Sequence, residues 1–380
     1  MKKIDDIIAC KGLFFIMAFS VGLWTIRIPT IRDQIQTDYL GISYLMVFFA
    51  IGSIIAMLGT NYILIKISSK NILIYASLTN WLLWLPVPFV KDLGTFMFLA
   101  FLFGICFGLF EICINLQASK IESREKKSMM AGFHAFWSLG ILFGSFLTSL
   151  FLQWEISILI NILIYIPLML PVNIILCFLL NEDKKSLIND KKSIFFVWPL
   201  LIFLLAIIAM ANVLTEGSVD TWGALYMKDF INVSGFKIGI ATISFNIFMV
   251  MGRIFGDIFR DRLGVYNLLL TLMIITIISL LILINFNSIL TSIIGFALLG
   301  LGSSSVVPIT YSLASKINGI DSGIGITIIS IAVYGTFIGA PASLGLIANS
   351  YGINNIFTAI LLVFILLLFS IKIFKNNFKL

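Results

Sequence analysis

The chain has 380 residues, of which 60% are hydrophobic and only 11% are charged, and its mean hydropathy is +1.10. A soluble protein of this length needs more charge to cover its surface, so the composition excludes a soluble globular protein. A net charge of +7 also occurs in nucleic-acid-binding proteins, but these cations lie in short segments between apolar runs. That placement is typical of membrane topology, so we expect a lipid bilayer and no nucleic acid as partner.

The sequence predicts no metal site and no cofactor. Its four cysteines lie in or beside apolar runs without metal-ligand spacing, which is typical of small core residues. The first eight residues are too few and too charged for a cleaved signal peptide, and the first apolar run continues into a full span. The sequence contains no nucleotide-binding loop and no loop long enough for a catalytic domain, so we do not expect an enzyme.

Apolar runs of about 17–25 residues, the length that crosses a bilayer as a helix, recur along the chain. They predict an all-α membrane protein with twelve transmembrane helices in two six-helix bundles. The polar segment 181–194 links a predicted bundle at 1–180 to a second one at 195–380. The predicted spans are 7–31, 40–65, 71–90, 94–119, 128–151, 156–180, 195–222, 236–259, 265–285, 288–315, 322–348 and 352–374.

An even number of spans places both termini on the same side of the membrane. With these spans, all but five of the 25 Lys and Arg residues lie on that side. The five exceptions are Arg27, Arg32, Lys91, Lys228 and Lys237. Because cytoplasmic loops carry an excess of cations, we predict that both termini are cytoplasmic.

The two predicted bundles also repeat each other in sequence. The tetrapeptide Ala-Ser-Lys-Ile ends span four at 118–121 and recurs at the end of span ten at 314–317, so the offset between 118 and 314 is 196 residues. A similar offset aligns a pair of glycines in span five with a pair in span eleven. Such a repeat favours two pseudo-symmetric halves with a binding site near the midplane between them.

A pattern rich in glycine and charge joins spans eight and nine. It consists of Gly252, Arg253, Gly256, Asp257, Asp261, Arg262 and Gly264. In spacing and location it resembles the G-R-x-x-G…D-R-x-G loop signature of the major facilitator superfamily. The resemblance implies a twelve-helix secondary transporter in which this cytoplasmic motif bridges neighbouring helices and stabilises the outward-open state. The alternative is that its cations only set topology.

Two further patterns resemble subgroups of that superfamily. The fourth span carries Gly104, Glu111 and Asn115 in an arrangement similar to that of the fucose:proton symporter group. Segments 130–140 and 216–222 are similar to a related group of poorly characterised bacterial inner-membrane facilitators. These resemblances imply a bacterial plasma-membrane location. The first span departs from the fucose group, because it has no aspartate.

Glu111 is the residue around which we organise the functional prediction. It has about ten uncharged residues on each side, and an acid at membrane depth costs several kcal/mol, so it usually faces a bundle interior or a wet cavity. Asn115 lies one turn further on the same face, and His134 lies at a matching depth in span five. We predict that these three residues couple transport to protons. The alternative is that they are hydrogen-bonding contacts between helices.

A second polar cluster is predicted near the outer face. Glu216 and Asp220 share one face late in span seven, and Arg27 lies at a similar depth late in span one. We predict an extracellular gate in which Arg27 pairs with one of these carboxylates beside Trp24 and Trp222. The alternative is that the charges end spans in solvent and the tryptophans belong to the interfacial aromatic belt.

We expect the polar lining of the substrate cavity to come from spans one, four, seven and ten and their neighbours. The predicted substrate-binding residues are Trp24, Gln117, Trp137, Asn246, Ser304, Tyr311 and Tyr334. Hydroxyl groups and aromatic faces suit a small, neutral or weakly polar solute. The sequence places no cluster of buried cations there that would favour a phosphorylated substrate.

The predicted function is therefore proton-coupled movement of a small organic solute, with import slightly favoured, by a protein that we expect to be a monomer. Efflux of metabolites or drugs is the first alternative, because the same carboxylate would drive antiport. A transporter-like sensor without transport is the second, although both tails are only a few residues long.

Overall fold

The computed structural model describes residues 2–126, 129–181, 200–314, 317 and 322–373, and these residues form helices and connecting turns without any β-strand. The α-helices are Lys2–Gln34, Tyr39–Leu64, Ser69–Leu82, Leu93–Glu125, Met130–Gln153, Ile158–Leu179, Leu200–Leu225, Ile240–Asn285, Ile289–Ser303, Val306–Ala314, Ser322–Tyr351 and Asn355–Ile373. Short 3₁₀ turns occupy Val87–Phe89 and Gly235–Gly239, and a π-helical turn occupies Tyr226–Phe230.

Within the described residues, twelve segments are long and apolar enough to cross a membrane, one for each predicted span. The prediction of an all-α membrane protein with twelve spans is therefore confirmed. We number these spans one to twelve in chain order. Spans eight and nine form one helix with a kink at Gly264, and span ten consists of the two helices Ile289–Ser303 and Val306–Ala314.

The kink at Gly264 depends on glycine. Its φ of 73° and ψ of 159° lie in a region of backbone conformation that residues other than glycine essentially never adopt. The motif glycine at 264 is thus the point where the chain leaves span eight and enters span nine.

Side-chain caps start several of the spans. Asp38, Ser68, Asp92, Ser157 and Ser288 each accept a hydrogen bond from the backbone N–H three residues further on. The first backbone N–H groups of a helix have no partner within the helix, and these side chains satisfy one of them. The polar residues that interrupt the apolar runs therefore also set where the helices begin.

The described residues fall into two compact units, Met1–Asn189 with Ser234–Phe236 and Asp190–Val233 with Lys237–Leu380. Most of the predicted linker, 181–194, lies outside the described residues, so the predicted bundle boundaries stay a prediction. In the first unit, span one packs on spans five and six, and span four packs on spans two and three. In the second unit, span seven packs on parts of spans eight, ten, eleven and twelve.

Glycines allow the closest helix contacts in each unit. In the first unit, a Cβ at Gly104 of span four would collide with the backbone oxygen of Phe49 in span two. In the second unit, a Cβ at Gly300 of span ten would collide with the backbone oxygen of Phe245 in span eight. Positions 104 and 300, like positions 49 and 245, differ by 196. The sequence repeat thus corresponds to the same backbone contact in both units.

Candidate functional site

Glu111 lies in the interior of the long helix Leu93–Glu125 and is partly exposed. The side-chain amide of Asn115 donates to its carboxylate Oε1 and to its backbone oxygen, each at 2.9 Å. The pair predicted from i, i+4 spacing is therefore formed. Asn115 holds the carboxylate in one orientation through a donor that does not itself titrate.

His134 and Trp137 lie on span five, and both are partly exposed. The imidazole of His134 packs against Phe14 of span one, with ring centroids 5.3 Å apart. The indole of Trp137 packs edge-on against Phe107 of span four, with centroids 5.9 Å apart. The proton relay between His134 and Glu111 stays a prediction.

Gln117 and Trp24 lie inside the packing of the first unit. Gln117 is 3% exposed, and its amide donates to the hydroxyl of Ser69 at 2.9 Å, which joins span four to span three. Trp24 packs between Trp84 and Phe96, with ring centroids 6.4 and 6.2 Å away. Substrate binding by Gln117 and Trp24 stays a prediction. The contacts that the structure shows for them join the spans of the first unit to one another.

Arg27 is a buried cation held by neutral groups. Its side chain is 2% exposed, its Nε donates to Asn161 Oδ1 at 3.1 Å, and its Nη2 donates to the backbone oxygen of Ile156 at 2.7 Å. These bonds fasten span one to the start of span six and to the turn before it. Pairing of Arg27 with Glu216 or Asp220 stays a prediction.

Glu216 pairs with Arg253 in the second unit. Arg253 Nη2 lies 3.7 Å from Glu216 Oε2, and Asn212 Nδ2 donates to Glu216 Oε1 at 2.7 Å. The sequence analysis placed Glu216 near the outer face and Arg253 near the cytoplasmic one, and this depth assignment is corrected. The helix of span eight continues to Gly264, so Arg253 lies roughly midway along it and reaches the middle of span seven.

Arg253 also contacts the break in span ten. Pro308 has no N–H, so the backbone oxygen of Ser304 lacks the donor that an α-helix supplies four residues later. The Nε of Arg253 donates to that oxygen at 3.4 Å. One guanidinium therefore joins the carboxylate of span seven to the interruption in span ten.

The motif glycines let span eight approach this break. A Cβ at Gly252 would collide with the side chain of Ser304, and a Cβ at Gly256 would collide with the hydroxyl of Ser305. Ser304 was predicted as a substrate-binding residue. It is 1% exposed, and its hydroxyl donates to the backbone oxygen of Leu301 at 2.8 Å.

Asp220 lies one helical turn beyond Glu216. Its Oδ1 atom is buried and has no hydrogen-bond partner among the residues that the structure describes. Trp222 is 1% exposed and is therefore core within the second unit rather than a residue of an exposed aromatic belt. The two acids of span seven thus differ, because Glu216 has a cationic partner, whereas Asp220 has a buried oxygen that no described residue donates to.

The remaining predicted residues are spread through the second unit. Asn246 is buried and donates to the backbone oxygen of Thr242 at 2.9 Å. The hydroxyl of Tyr311 lies 3.2 Å from that of Ser330, and Tyr334 packs against Phe337 with centroids 6.4 Å apart. Two motif residues, Asp261 and Arg262, are exposed, and the side chain of Asp257 lies outside the described part of the chain.

Asn212 is the site residue that the sequence analysis missed. It is fully buried, and its amide is the closest donor to Glu216 that the structure describes. The spacing could have identified Asn212, because Asn212, Glu216 and Asp220 follow one another at intervals of four residues along one helical face.

Comparison with known proteins identifies the architecture. Residues 12–230 and 202–378 match the family model described as Major Facilitator Superfamily. An uncharacterised MFS-type transporter of Yersinia pestis is 26% identical over 366 residues, covering 95% of this chain and 93% of that protein. The membrane protein MosC of Rhizobium meliloti is 24% identical over 359 residues, covering 93% of this chain and 86% of MosC.

Solved structures show the same fold at low identity. A point mutant of the nucleoside transporter NupG has a TM-score of 0.77 at 10% identity, covering 98% of this chain and 99% of that one. A bacterial homologue of the human lysosomal transporter Spinster, in an inward-facing and occupied conformation, has a TM-score of 0.72 at 10% identity. That comparison covers 97% of this chain and 96% of the Spinster homologue.

Proposed function

Because this chain belongs to the Major Facilitator Superfamily, we propose that it moves a small organic solute across the bacterial plasma membrane by alternating access, driven by protons. Import is the favoured direction, and efflux is the alternative, because the same protonation step would drive antiport. The membrane orientation with both termini in the cytoplasm is part of this proposal and follows from the distribution of Lys and Arg.

The observation that carries the proposal is the Glu111–Asn115 pair. A carboxylate in the interior of a membrane helix is costly when charged, and it faces the bundle interior or a wet cavity in most membrane proteins. Its amide partner at 2.9 Å holds the group in place without neutralising its charge. Such a group takes up a proton when water reaches it from one side and loses the proton when water reaches it from the other.

The substrate class follows from the polar groups of the predicted lining. Tyr311, Tyr334 and Trp137 are partly exposed and offer hydroxyl and aromatic faces. Aromatic faces and hydroxyl donors suit a neutral solute with a ring and hydroxyl groups, such as a sugar or a nucleoside. NupG is named as a nucleoside transporter, and we therefore include nucleosides among the compounds to be tested.

The substrate is to be identified first by a thermal-shift screen of purified protein. Sugars, nucleosides, amino acids and organic acids are added singly, and a ligand raises the unfolding midpoint because it binds only the folded state. A compound of the neutral classes is the expected hit. A hit confined to phosphorylated or dianionic compounds contradicts the proposed substrate class.

The coupling role of Glu111 is tested in liposomes that contain the purified protein and an imposed proton gradient. With Glu111→Gln, we expect uphill accumulation of the identified substrate to be lost, because the amide cannot exchange a proton, while exchange of substrate across the membrane is retained. The matched control is Glu155→Gln, since Glu155 is exposed in the turn between spans five and six. Uphill accumulation that survives Glu111→Gln contradicts the proposal.

A further inference from the structure

The second unit holds two carboxylates and one guanidinium at one depth in the membrane. Glu216 lies roughly midway along span seven, Asp220 follows one turn later, and Arg253 reaches Glu216 from span eight at 3.7 Å. Side chains one turn apart on a helix have Cβ atoms about 5–6 Å apart, so the two carboxylates act on each other. With both ionised, the cluster has one negative charge in excess.

Asp220 is the group where this excess charge is least compensated. Its Oδ1 is buried and accepts no hydrogen bond within the described residues, while Glu216 has both Asn212 and Arg253. Leaving an ionised carboxylate oxygen buried and without a donor is strongly unfavourable. Two neighbouring acids in such a place commonly hold one proton between them, because ionising both is unfavourable.

The surrounding spans supply no second cation at this depth among the described side chains. Span eight supplies Arg253, and its next basic residue, Arg260, lies about 10 Å further along the helix at 1.5 Å per residue. Spans ten and eleven supply the phenols Tyr311 and Tyr334, and the Lys372 of span twelve lies in the last turn of its helix. Asp257, whose side chain lies outside the described part, is a further acid and adds no positive charge.

We propose that Glu216, Asp220 and Arg253 form a second proton-binding site, distinct from Glu111, that is electrically neutral only when the two carboxylates share one proton. The proton comes from water, and its uptake forms one O–H bond on either carboxylate. This inference deepens the proposed proton-coupled function and rests on it.

The contacts of Arg253 give the site a mechanical consequence. The guanidinium forms an ion pair with Glu216 at 3.7 Å, and its Nε donates to the backbone oxygen of Ser304 at the break of span ten. When the shared proton resides on Glu216, the attraction of Arg253 to span seven is weakened, while its bond to Ser304 is unaffected. When the proton leaves, Arg253 is drawn back to span seven. The site thereby links proton occupancy to the position of the two helices that meet at the break.

The test counts protonated carboxyl groups by infrared spectroscopy of the purified full-length protein at neutral pH, using the C=O band of a carboxylic acid and its shift in deuterium oxide. All measurements are made in the Glu111→Gln background, so that no signal comes from the first unit's acid. We expect one protonated carboxyl from the site. Asp220→Asn and Glu216→Gln each remove it, because one acid then balances one guanidinium.

Arg253→Gln separates this proposal from an ordinary ion pair. Without the guanidinium both carboxylates are expected to be protonated, so the band doubles. Asp229→Asn is the matched control on the same span, since Asp229 is exposed, and it leaves the band unchanged. The two amide variants are nearly isosteric with their parent residues, so their result stands even where Arg253→Gln does not fold.

Absence of the band, or a band that persists in Asp220→Asn, overturns the proposal. Loss of the band when sodium replaces choline in the buffer also overturns it, because the charge is then balanced by a metal cation. None of these readings requires substrate. Failure of the proposed transport function appears in the liposome assay of Glu111→Gln, and the two failures are therefore distinguishable.

Discussion

At the scale of single residues, the environment of each charge within the membrane spans decides what it does. Arg27 and Arg253 are both arginines within membrane-spanning helices, but their partners differ. Arg27 is held by an amide oxygen and a backbone oxygen, whereas Arg253 lies beside a carboxylate. Among the residues that the structure describes, the acceptors of Arg27 are neutral. Such bonds do not depend on the protonation of nearby acids, so Arg27 has the features of a fixed structural contact.

This role of Arg27 predicts a particular mutational pattern. Asn161→Leu removes the acceptor of a cation that is 2% exposed and is expected to destabilise the protein by about 1–3 kcal/mol. The double variant Arg27→Met/Asn161→Leu is expected to be milder than Asn161→Leu alone, because replacing both partners leaves no unsatisfied donor at Nε. The midpoint of thermal unfolding in detergent checks the order. A double variant less stable than the single one would contradict it.

At the scale of helices, small residues and a proline decide how the spans pack. The two contacts at Gly104 and Gly300 place backbone against backbone, and the break at Ser304 and Ser305 lies where Pro308 removes a helix hydrogen bond. The two glycines and the proline can be read directly from the sequence. The sequence did not show that Arg253 would supply the missing donor.

The paired glycines yield a prediction for both units. Gly104→Ala and Gly300→Ala are each expected to lower stability by about 1–3 kcal/mol, because a methyl group at either position overlaps a backbone oxygen that cannot move alone. Gly59→Ala is the control, since no described atom lies within 4 Å of its Cβ position. Thermal unfolding midpoints of the three variants give the comparison. Equal midpoints for all three would refute the argument that these contacts are tight.

At the scale of the whole molecule, the repeat is kept in packing but not in charge. The position 196 residues after Glu111 is Val307, and the positions 196 residues before Glu216 and Asp220 are Ser20 and Trp24. The acid inside span four thus has no counterpart in span ten, and the two acids of span seven have none in span one.

The predicted topology can be tested with two single cysteines. Lys91→Cys is expected to react with a membrane-impermeant thiol reagent in intact cells, whereas Lys66→Cys reacts only after permeabilisation, because the cation distribution places them on opposite sides. Both positions are exposed, and the four native cysteines are buried. Labelling of Lys66→Cys in intact cells would reverse the orientation.

The sequence by itself determined the twelve spans, their repeat and the Glu111–Asn115 pair. Span length depends on the apolar run, and an i, i+4 pair depends only on helical geometry, so both are local properties. The same holds for the starts of the helices at their Ser and Asp caps.

Only the tertiary structure decided which charges meet. Glu216 and Arg253 are 37 residues apart in the sequence, as 253 minus 216 is 37. Their pairing depends on the continuation of span eight to Gly264 and on how spans seven and eight are rotated about their axes. A shift of one residue rotates a side chain by about 100°, as 3.6 residues complete a turn. Apolar helices of similar length permit many such rotations, and the backbone contacts at glycines select one of them.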